Sequence, residues 1–156
     1  MSERIEVSRF IPAPSGDIFA LLCDPWGHVA IDSSGMLQSA SGSPVTAAGD
    51  EFTIHMDREA LGNVDLGKYD VTVQFTTVVP GREIAWTIDG TIKPPIGHTY
   101  GYRLGPADGG TTVTSYYDWS TAAPEWKKIF PVISESALKG TLGILDRTVR
   151  HGYYRP

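Results

Sequence analysis

Alternation of apolar and polar positions dominates the chain between residues 51 and 119. It runs through residues 51–58, 68–79, 83–89, 98–104 and 111–119, with turn signals such as Pro80-Gly81 and Asp108-Gly109-Gly110 between the segments. A period of two is typical of strands that cover a core with one face. These segments, together with weaker strand patterns at residues 4–11 and 35–40, predict a curved antiparallel sheet packed on one side only.

A helical pattern replaces the alternation at the C-terminal end, over residues 132–151. Four apolar side chains, at positions 138, 142, 145 and 149, follow the i, i+4, i+7, i+11 spacing of one helical stripe. This predicts a long helix laid across the sheet, against residues 69–75, 84–88 and 98–102. Gly140 and Gly143 interrupt it at about 1 kcal/mol each relative to alanine. They indicate either close packing or room left for a ligand.

Two short helices are predicted between the first two strands. Ser15 is a candidate N-cap for a helix over residues 16–22, and Asp24-Pro25 separates it from a second helix over residues 25–31. The resulting order, β-α-α-β6-α, belongs to the α+β class. Because hairpin turns lie at alternate ends of an antiparallel sheet, the loops 59–67, 91–97 and 120–131 share one end. They are expected to form the mouth of a cavity.

Composition narrows the class of protein. A length of 156 residues with 41% apolar and 20% charged residues predicts one folded domain, residues 1–156. The net charge of −5, without a basic run, argues against nucleic acid as a partner. The start of the chain lacks the apolar region of a signal peptide, and no segment resembles a membrane span. The lone Cys23 excludes an internal disulfide, and the expected location is cytoplasmic.

With this element order, the chain resembles the START-like, or Bet v 1-like (SRPBCC), helix-grip superfamily, and within it the bacterial polyketide cyclase/dehydrase and lipid-transport group. The segments that carry the resemblance are PAPSGDIFALL (12–22), DPWGH (24–28), WTIDG (86–90), GYRLGPADGGTTVTSYYDW (101–119) and FPVIS (130–134). The resemblance implies a helix-grip fold and a lipid, sterol, polyketide or hormone ligand. Some members of the group cyclise or dehydrate polyketides, but no catalytic motif can be matched residue by residue.

Aromatic side chains are the strongest candidate ligand contacts. Most lie on the predicted inner face, where tyrosine and tryptophan can hold an apolar ligand and bond its polar groups, although ordinary core packing also explains many of them. The best pocket candidates are Trp86, Tyr100, Tyr102 and Tyr117. The full predicted set is Trp26, His28, Phe52, Met56, Tyr69, Val71, Phe75, Trp86, His98, Tyr100, Tyr102, Tyr117, Trp126, Phe130, Leu138 and Leu142.

Acid–base chemistry has few candidates. His28, which Asp32 could orient, and His98 are possible general acids or bases with Tyr100, although a structural role is the commoner one for each. His55 is expected on the outer face. No metal-like histidine spacing and no Ser-His-Asp order is evident, so neither a metal nor a cofactor is expected.

Three functions remain open from the sequence. The first is binding of a hydrophobic small molecule in an apolar cavity between the sheet and the C-terminal helix, by a monomer or weak homodimer. The second is a polyketide cyclase or dehydratase that uses a cavity histidine or tyrosine. The third is an interaction module that docks a partner through its mouth loops, with the segment Trp126–Phe130 as an exposed apolar feature.

Overall fold

A computed structural model describes residues 2–59, 67–90 and 93–156. In these ranges the chain forms a seven-stranded antiparallel sheet and three helices, in the helix-grip order predicted from the sequence. The elements are β1 (Arg4–Ile11), α1 (Ser15–Cys23), α2 (Pro25–Ile31), β2 (Leu37–Ser41), β3 (Glu51–Asp57), β4 (Lys68–Val79), β5 (Glu83–Asp89), β6 (Thr99–Ala107), β7 (Gly110–Asp118) and α3 (Glu135–His151).

The sheet is a meander with one displaced strand. Its spatial order is β1-β7-β6-β5-β4-β3-β2, so β2 to β7 follow the chain and β1 pairs with the last strand. The ends of β3, β5 and β7 therefore meet at one end of the sheet. Two backbone contacts hold the loops there together, since the amide of Ala123 donates to the carbonyl of Ile96 and the Thr121 hydroxyl donates to the carbonyl of Gly97.

The sequence pattern predicted both ends of several elements correctly, namely β1, α2, β4 and β5. Other boundaries differ from the prediction. Helix α3 begins at Glu135, three positions after the predicted start at 132, because Ser134 is its N-cap and accepts a hydrogen bond of 3.0 Å from the amide of Ala137. The predicted N-cap role of Ser15 is wrong. Ser15 is the first residue of α1, and Pro14 occupies the cap in an extended conformation without a side-chain bond.

The remaining strand ends shift by a few positions. Strand β2 spans 37–41 instead of 35–40, and a bulge between Leu37 and Ser39 interrupts its register with β3. Strands β6 and β7 close as a tight hairpin, so β6 continues to Ala107 and β7 begins at Gly110. The turn predicted for 60–67 lies outside the described residues except for Gly67.

Helix α3 packs mainly against β1, with further contacts to α1, α2 and β7. The sequence assigned it to the middle strands β4 to β6. Its stripe residues Leu138, Leu142 and Leu145 are buried as predicted, and an ion pair fixes the edge position. The Arg9 guanidinium on β1 lies 2.9 Å from the carboxylate of Asp146, which is buried although it is not one of the stripe residues.

The buried side chains form one core between the inner face of the sheet and the helices. No helix in the described parts of the chain has both the length and the apolar character needed to cross a membrane.

Candidate functional site

A row of aromatic rings crosses the inner face of the sheet. Strand register places Trp86 on β5 opposite Phe75 on β4 and opposite Tyr100 on β6. The Trp86 and Tyr100 rings are stacked, with centroids 6.1 Å apart and planes 11° from parallel. Trp86 also contacts Tyr102, and Phe75 contacts Phe52 on β3. The side-chain alternation that predicted these residues on one face therefore produces a continuous aromatic surface.

His28 closes one end of this row from helix α2. Its ring centroid lies 4.7 Å from that of Trp86 and 5.1 Å from that of Phe52. Burial lowers the pKa of His28 to about 4, so the ring is neutral near pH 7. Nε2 lies 2.7 Å from the carbonyl oxygen of Leu22. Because a carbonyl only accepts, Nε2 carries the proton and is committed to that bond. This partner favours a structural role for His28.

His98 lies at the other end, one residue before β6. Its Nδ1 is 2.6 Å from the Tyr117 hydroxyl, and its ring packs edge-on against Tyr100. The Tyr100 ring packs against the Tyr117 ring, with centroids 4.8 Å apart, so His98, Tyr117 and Tyr100 form a contiguous polar chain. Phe130, from the loop before α3, packs against both His98 and Tyr117. Polar tips therefore converge among apolar rings close to the loop end of the sheet.

Burial sets the protonation state of this polar chain. It lowers the pKa of His98 to about 4 and raises that of Tyr100 to about 12. It also raises the pKa of Tyr117 well above its ordinary value. All three groups are consequently neutral across the physiological range. As neutral groups, they can exchange hydrogen bonds with a carbonyl, hydroxyl or carboxylic acid group of a ligand.

The neighbourhood of the polar chain is incompletely buried. Tyr100 keeps part of its surface accessible, although desolvation raises its pKa. Several apolar side chains around the loop end are likewise only partly buried against the core, namely Met56, Tyr69, Ile88, Ile96, Phe130 and Ile133.

The other predicted contacts lie in different settings. Val71, Leu138 and Leu142 belong to the buried core, as do Phe52, Phe75, Trp86, Tyr102 and Tyr117 of the inner face. Trp26 lies away from the aromatic row and packs edge-on against Tyr154 near the C-terminus, with centroids 5.9 Å apart. Trp126 is half-buried in the loop before α3. Their assignment as ligand contacts stays a prediction.

Two expectations about individual residues change. Asp32 does not orient a histidine. Its carboxylate instead accepts hydrogen bonds from the amides of Ser34 and Leu37 and thereby shapes the turn into β2. Gly140 and Gly143 fit neither interpretation. A Cβ built on them would have Ser33 and Arg9 at 4.0 and 3.9 Å, which leaves room for it, and it would not approach the aromatic row.

Among the described side chains, no group of three histidine, cysteine, aspartate or glutamate residues could hold a metal ion. The pairing of His98 with Tyr117 is the feature of the site that sequence reasoning missed. Both residues were candidates, but their contact depends on the register of β6 against β7.

Comparison with solved structures supports the architecture. A protein from Chromobacterium violaceum matches with a TM-score of 0.67 and 17% identity over 96% of this chain and 98% of its own. An AHSA1-like protein from Aeromonas hydrophila matches with a TM-score of 0.61 and 17% identity over 98% and 99% of the two chains. This chain shares their helix-grip fold. DynU16, a protein of the dynemicin biosynthetic locus, matches with a TM-score of 0.63 and 16% identity over 97% of this chain and 48% of DynU16.

Structural similarity at this level of sequence identity establishes the helix-grip fold. It does not transfer an activity to this protein. No protein-family model and no curated protein sequence matches the chain. Function must therefore be argued from the site itself.

Proposed function

We propose that this helix-grip protein binds a hydrophobic small molecule of the lipid, sterol or polyketide class against the aromatic inner face of its sheet. The observation that carries the proposal is the contiguous polar chain of His98, Tyr117 and Tyr100 set among apolar rings. An apolar surface with a few convergent polar groups is the usual composition of a small-molecule site. The rings would hold the apolar body of the ligand, and the polar chain would hydrogen-bond to one polar group on it.

The protonation states of the polar chain favour binding over proton transfer. A general acid or base works best when its pKa lies near the working pH. The pKa of His98 is lowered to about 4, and the pKa values of both tyrosines are raised. Near pH 7 these groups are therefore a weak base and weak acids. A binding site has no such requirement and gains from neutral partners that need little desolvation.

The second candidate is a cyclase or dehydratase reaction on a polyketide-like substrate, with His98, Tyr100 or His28 as acid or base. The specific observation in its favour is the 2.6 Å contact between His98 and Tyr117, which would couple a proton acceptor to a hydroxyl donor. A bound substrate that removes water or changes the local charge would have to bring these pKa values towards neutrality.

Native mass spectrometry of protein purified from its own host, followed by thermal-shift measurements with fatty acids, sterols and aromatic polyketides, tests the binding proposal. We expect a co-purifying apolar molecule or a raised melting temperature with one ligand class. Tyr100→Phe removes only the hydroxyl group and should lower the affinity for that ligand about five- to tenfold, equivalent to about 1–1.5 kcal/mol.

Tyr116→Phe is the matched control, because Tyr116 lies on the outer face of the sheet, where its hydroxyl donates to Glu83. It should leave ligand affinity unchanged. The absence of any adduct and of any thermal shift across the panel would contradict the proposal. Chemical conversion of a panel ligand, lost on His98→Gln, would instead establish the enzymatic alternative.

A further inference from the structure

A serine, a histidine and an aspartate form a hydrogen-bonded chain on the outer face of the sheet. The Oγ of Ser41 lies 2.7 Å from Nε2 of His55, and Nδ1 of His55 lies 2.7 Å from Oδ1 of Asp70. The histidine therefore uses its two ring nitrogens towards the hydroxyl and the carboxylate, respectively. This is the connectivity of a nucleophile, a base and an orienting group in Ser-His-Asp enzymes, which is recognised by geometry and not by chain position.

Three neighbouring strands build the arrangement. Ser41 ends β2, the edge strand, His55 lies on β3, and Asp70 lies on β4 directly opposite His55. The bulge between Leu37 and Ser39 sets the phase of β2, so that Ser39 pairs with His55 and Ser41 shares their face. Bulges often re-aim side chains next to active sites.

The carboxylate fixes the imidazole tautomer. Asp70 only accepts hydrogen bonds, so the neutral His55 ring carries its proton on Nδ1. Nε2 then presents its lone pair to the Ser41 hydroxyl, which donates to it. The serine thus has a base at its proton before any substrate arrives.

An open cleft of about 530 Å³ gives a substrate access to the histidine. His55, Asp70, Lys68 and Gln38 are among the residues that line it, and Tyr69 and Met56 add an apolar wall. The charged groups of the cleft are Lys68, Asp57 and Asp70, and Ser41 lies beside the cleft and not in its lining. The cleft is open to solvent, and its lining combines apolar and polar groups.

We propose that Ser41, His55 and Asp70 are a nucleophilic acyl-transfer site that accepts small activated esters. Ser41 Oγ forms a bond to the ester carbonyl carbon while His55 Nε2 takes the hydroxyl proton. The carbon–alkoxide bond then breaks, and His55 returns that proton to the leaving alcohol. Water, activated by the same nitrogen, hydrolyses the acyl-serine to a carboxylic acid and restores the hydroxyl.

The reacting groups of this site are separate from the proposed ligand site, although Met56 and Tyr69, which wall the cleft, are also predicted ligand contacts. The aromatic row and the His98 chain lie on the inner face, whereas His55 and Asp70 point away from it on the same strands that carry Phe52 and Phe75. Ligand binding at the inner face can fail while the outer site reacts, and the reverse also holds.

Labelling with a fluorophosphonate probe and hydrolysis of p-nitrophenyl acetate test the proposal on the full chain. Peptide mapping should place the phosphonate adduct on Ser41, and Ser41→Ala should abolish both adduct and turnover. His55→Gln and Asp70→Asn should each slow labelling, His55→Gln by about 100-fold, the low end of a general-base contribution.

Ser8→Ala is the matched control, because Ser8 is also an outer-face serine with a cross-strand hydrogen bond, to Thr114. It should react like the parent protein. All these side chains are partly or fully exposed, and unchanged circular dichroism and melting temperature will establish that each variant is folded. No adduct in the folded parent protein, an adduct at another residue, or labelling that His55→Gln leaves unchanged would overturn the proposal.

Discussion

Gly101 in β6 lies beneath the ring of Tyr116 in β7, its cross-strand partner on the outer face of the sheet. A Cβ placed on Gly101 would stand 2.2 Å from Cζ of Tyr116 and 2.4 Å from its hydroxyl oxygen. Real Cβ atoms do not approach so closely, so Gly101→Ala must displace the ring. The tyrosine is 5% exposed, and its burial depends on the missing side chain at position 101.

The cost follows from what the ring would lose. The Tyr116 hydroxyl donates a hydrogen bond of 2.6 Å to Glu83. The guanidinium carbons of Arg4 and Arg103 lie 4.0 and 5.2 Å from the ring centroid. One hydrogen bond to a carboxylate and two partly exposed cation–π contacts together amount to about 2–3 kcal/mol. For a chain of 156 residues this lowers the melting temperature by roughly 4–12 °C.

Urea unfolding and calorimetry measure the effect. Gly105→Ala is the control on the same strand, because its added Cβ would have only the Thr112 carbonyl oxygen nearby, at 3.9 Å. It should change the free energy of unfolding by less than about 1 kcal/mol. In a Tyr116→Ala background, Gly101→Ala should become nearly neutral, which gives a coupling energy of about 2 kcal/mol. Equal losses from Gly101→Ala with and without Tyr116 would refute the reasoning.

Three further predictions concern the helix and the buried histidine. Gly143→Ala should raise the free energy of unfolding in urea by about 1 kcal/mol, because the new Cβ has Arg9 at 3.9 Å as its nearest neighbour and the helix gains propensity; a loss would show hidden crowding. Burial acts to raise the pKa of Asp146, but hydrogen bonds from Arg150 and Arg9 outweigh it and hold the pKa below the ordinary value. Asp146→Asn should therefore cost about 2 kcal/mol at pH 7, and this difference should shrink as pH falls below about 4, where the carboxylate protonates; a difference that persists at pH 2 would exclude the charge as its cause. Because the pKa of His98 is about 4 in the folded protein and near 6.5 when unfolded, parent stability should fall as pH drops from 6.5 to 4. His98→Gln should remove part of that decline, on the order of 3 kcal/mol at most, in unfolding curves across this pH range, and an unchanged slope would show that His98 is not a buried neutral group.

Strand and helix identities were predictable because they depend on local periodicity. Residues 68–79 and 83–89 alternate so regularly that β4 and β5 were located to the residue. The N-terminal ends of helices were less predictable where either of two residues could be the N-cap. The hydroxyl of Ser134 caps α3, whereas Ser15 entered α1 because Pro14 already had the extended conformation of a cap.

Packing partners were not predictable from periodicity. The stripe formed by Leu138, Leu142 and Leu145 predicts which face of α3 is buried. It does not predict which element packs against that face. The edge position follows from Arg9 and Asp146, which are 137 residues apart and pair only once β1 lies beside the helix. Asp146 lies outside this stripe, and its burial was the one signal of the edge position. The sequence does not show that Asp146 is buried.

At both sites, the sequence pattern predicted the face on which a side chain lies but not the side chain that it contacts. Parity alone placed Trp86, Tyr100 and Tyr102 on the inner face, and the structure adds the contact of His98 with Tyr117 through the register of β6 and β7. Parity also placed His55 outside. However, the members of the outer chain are separated by 14 and 15 residues, and their meeting requires the β2 bulge and two strand pairings.

The sequence by itself determined the class of fold, the order of its elements and the residues that face the core, because hydrophobic burial imposes its period on each segment separately. Only the tertiary structure decided which side chains meet across strands, where α3 lies and which ionisable groups are held neutral. Those properties depend on register, on one bulge and on burial by distant parts of the chain, and none of these is encoded within a single segment.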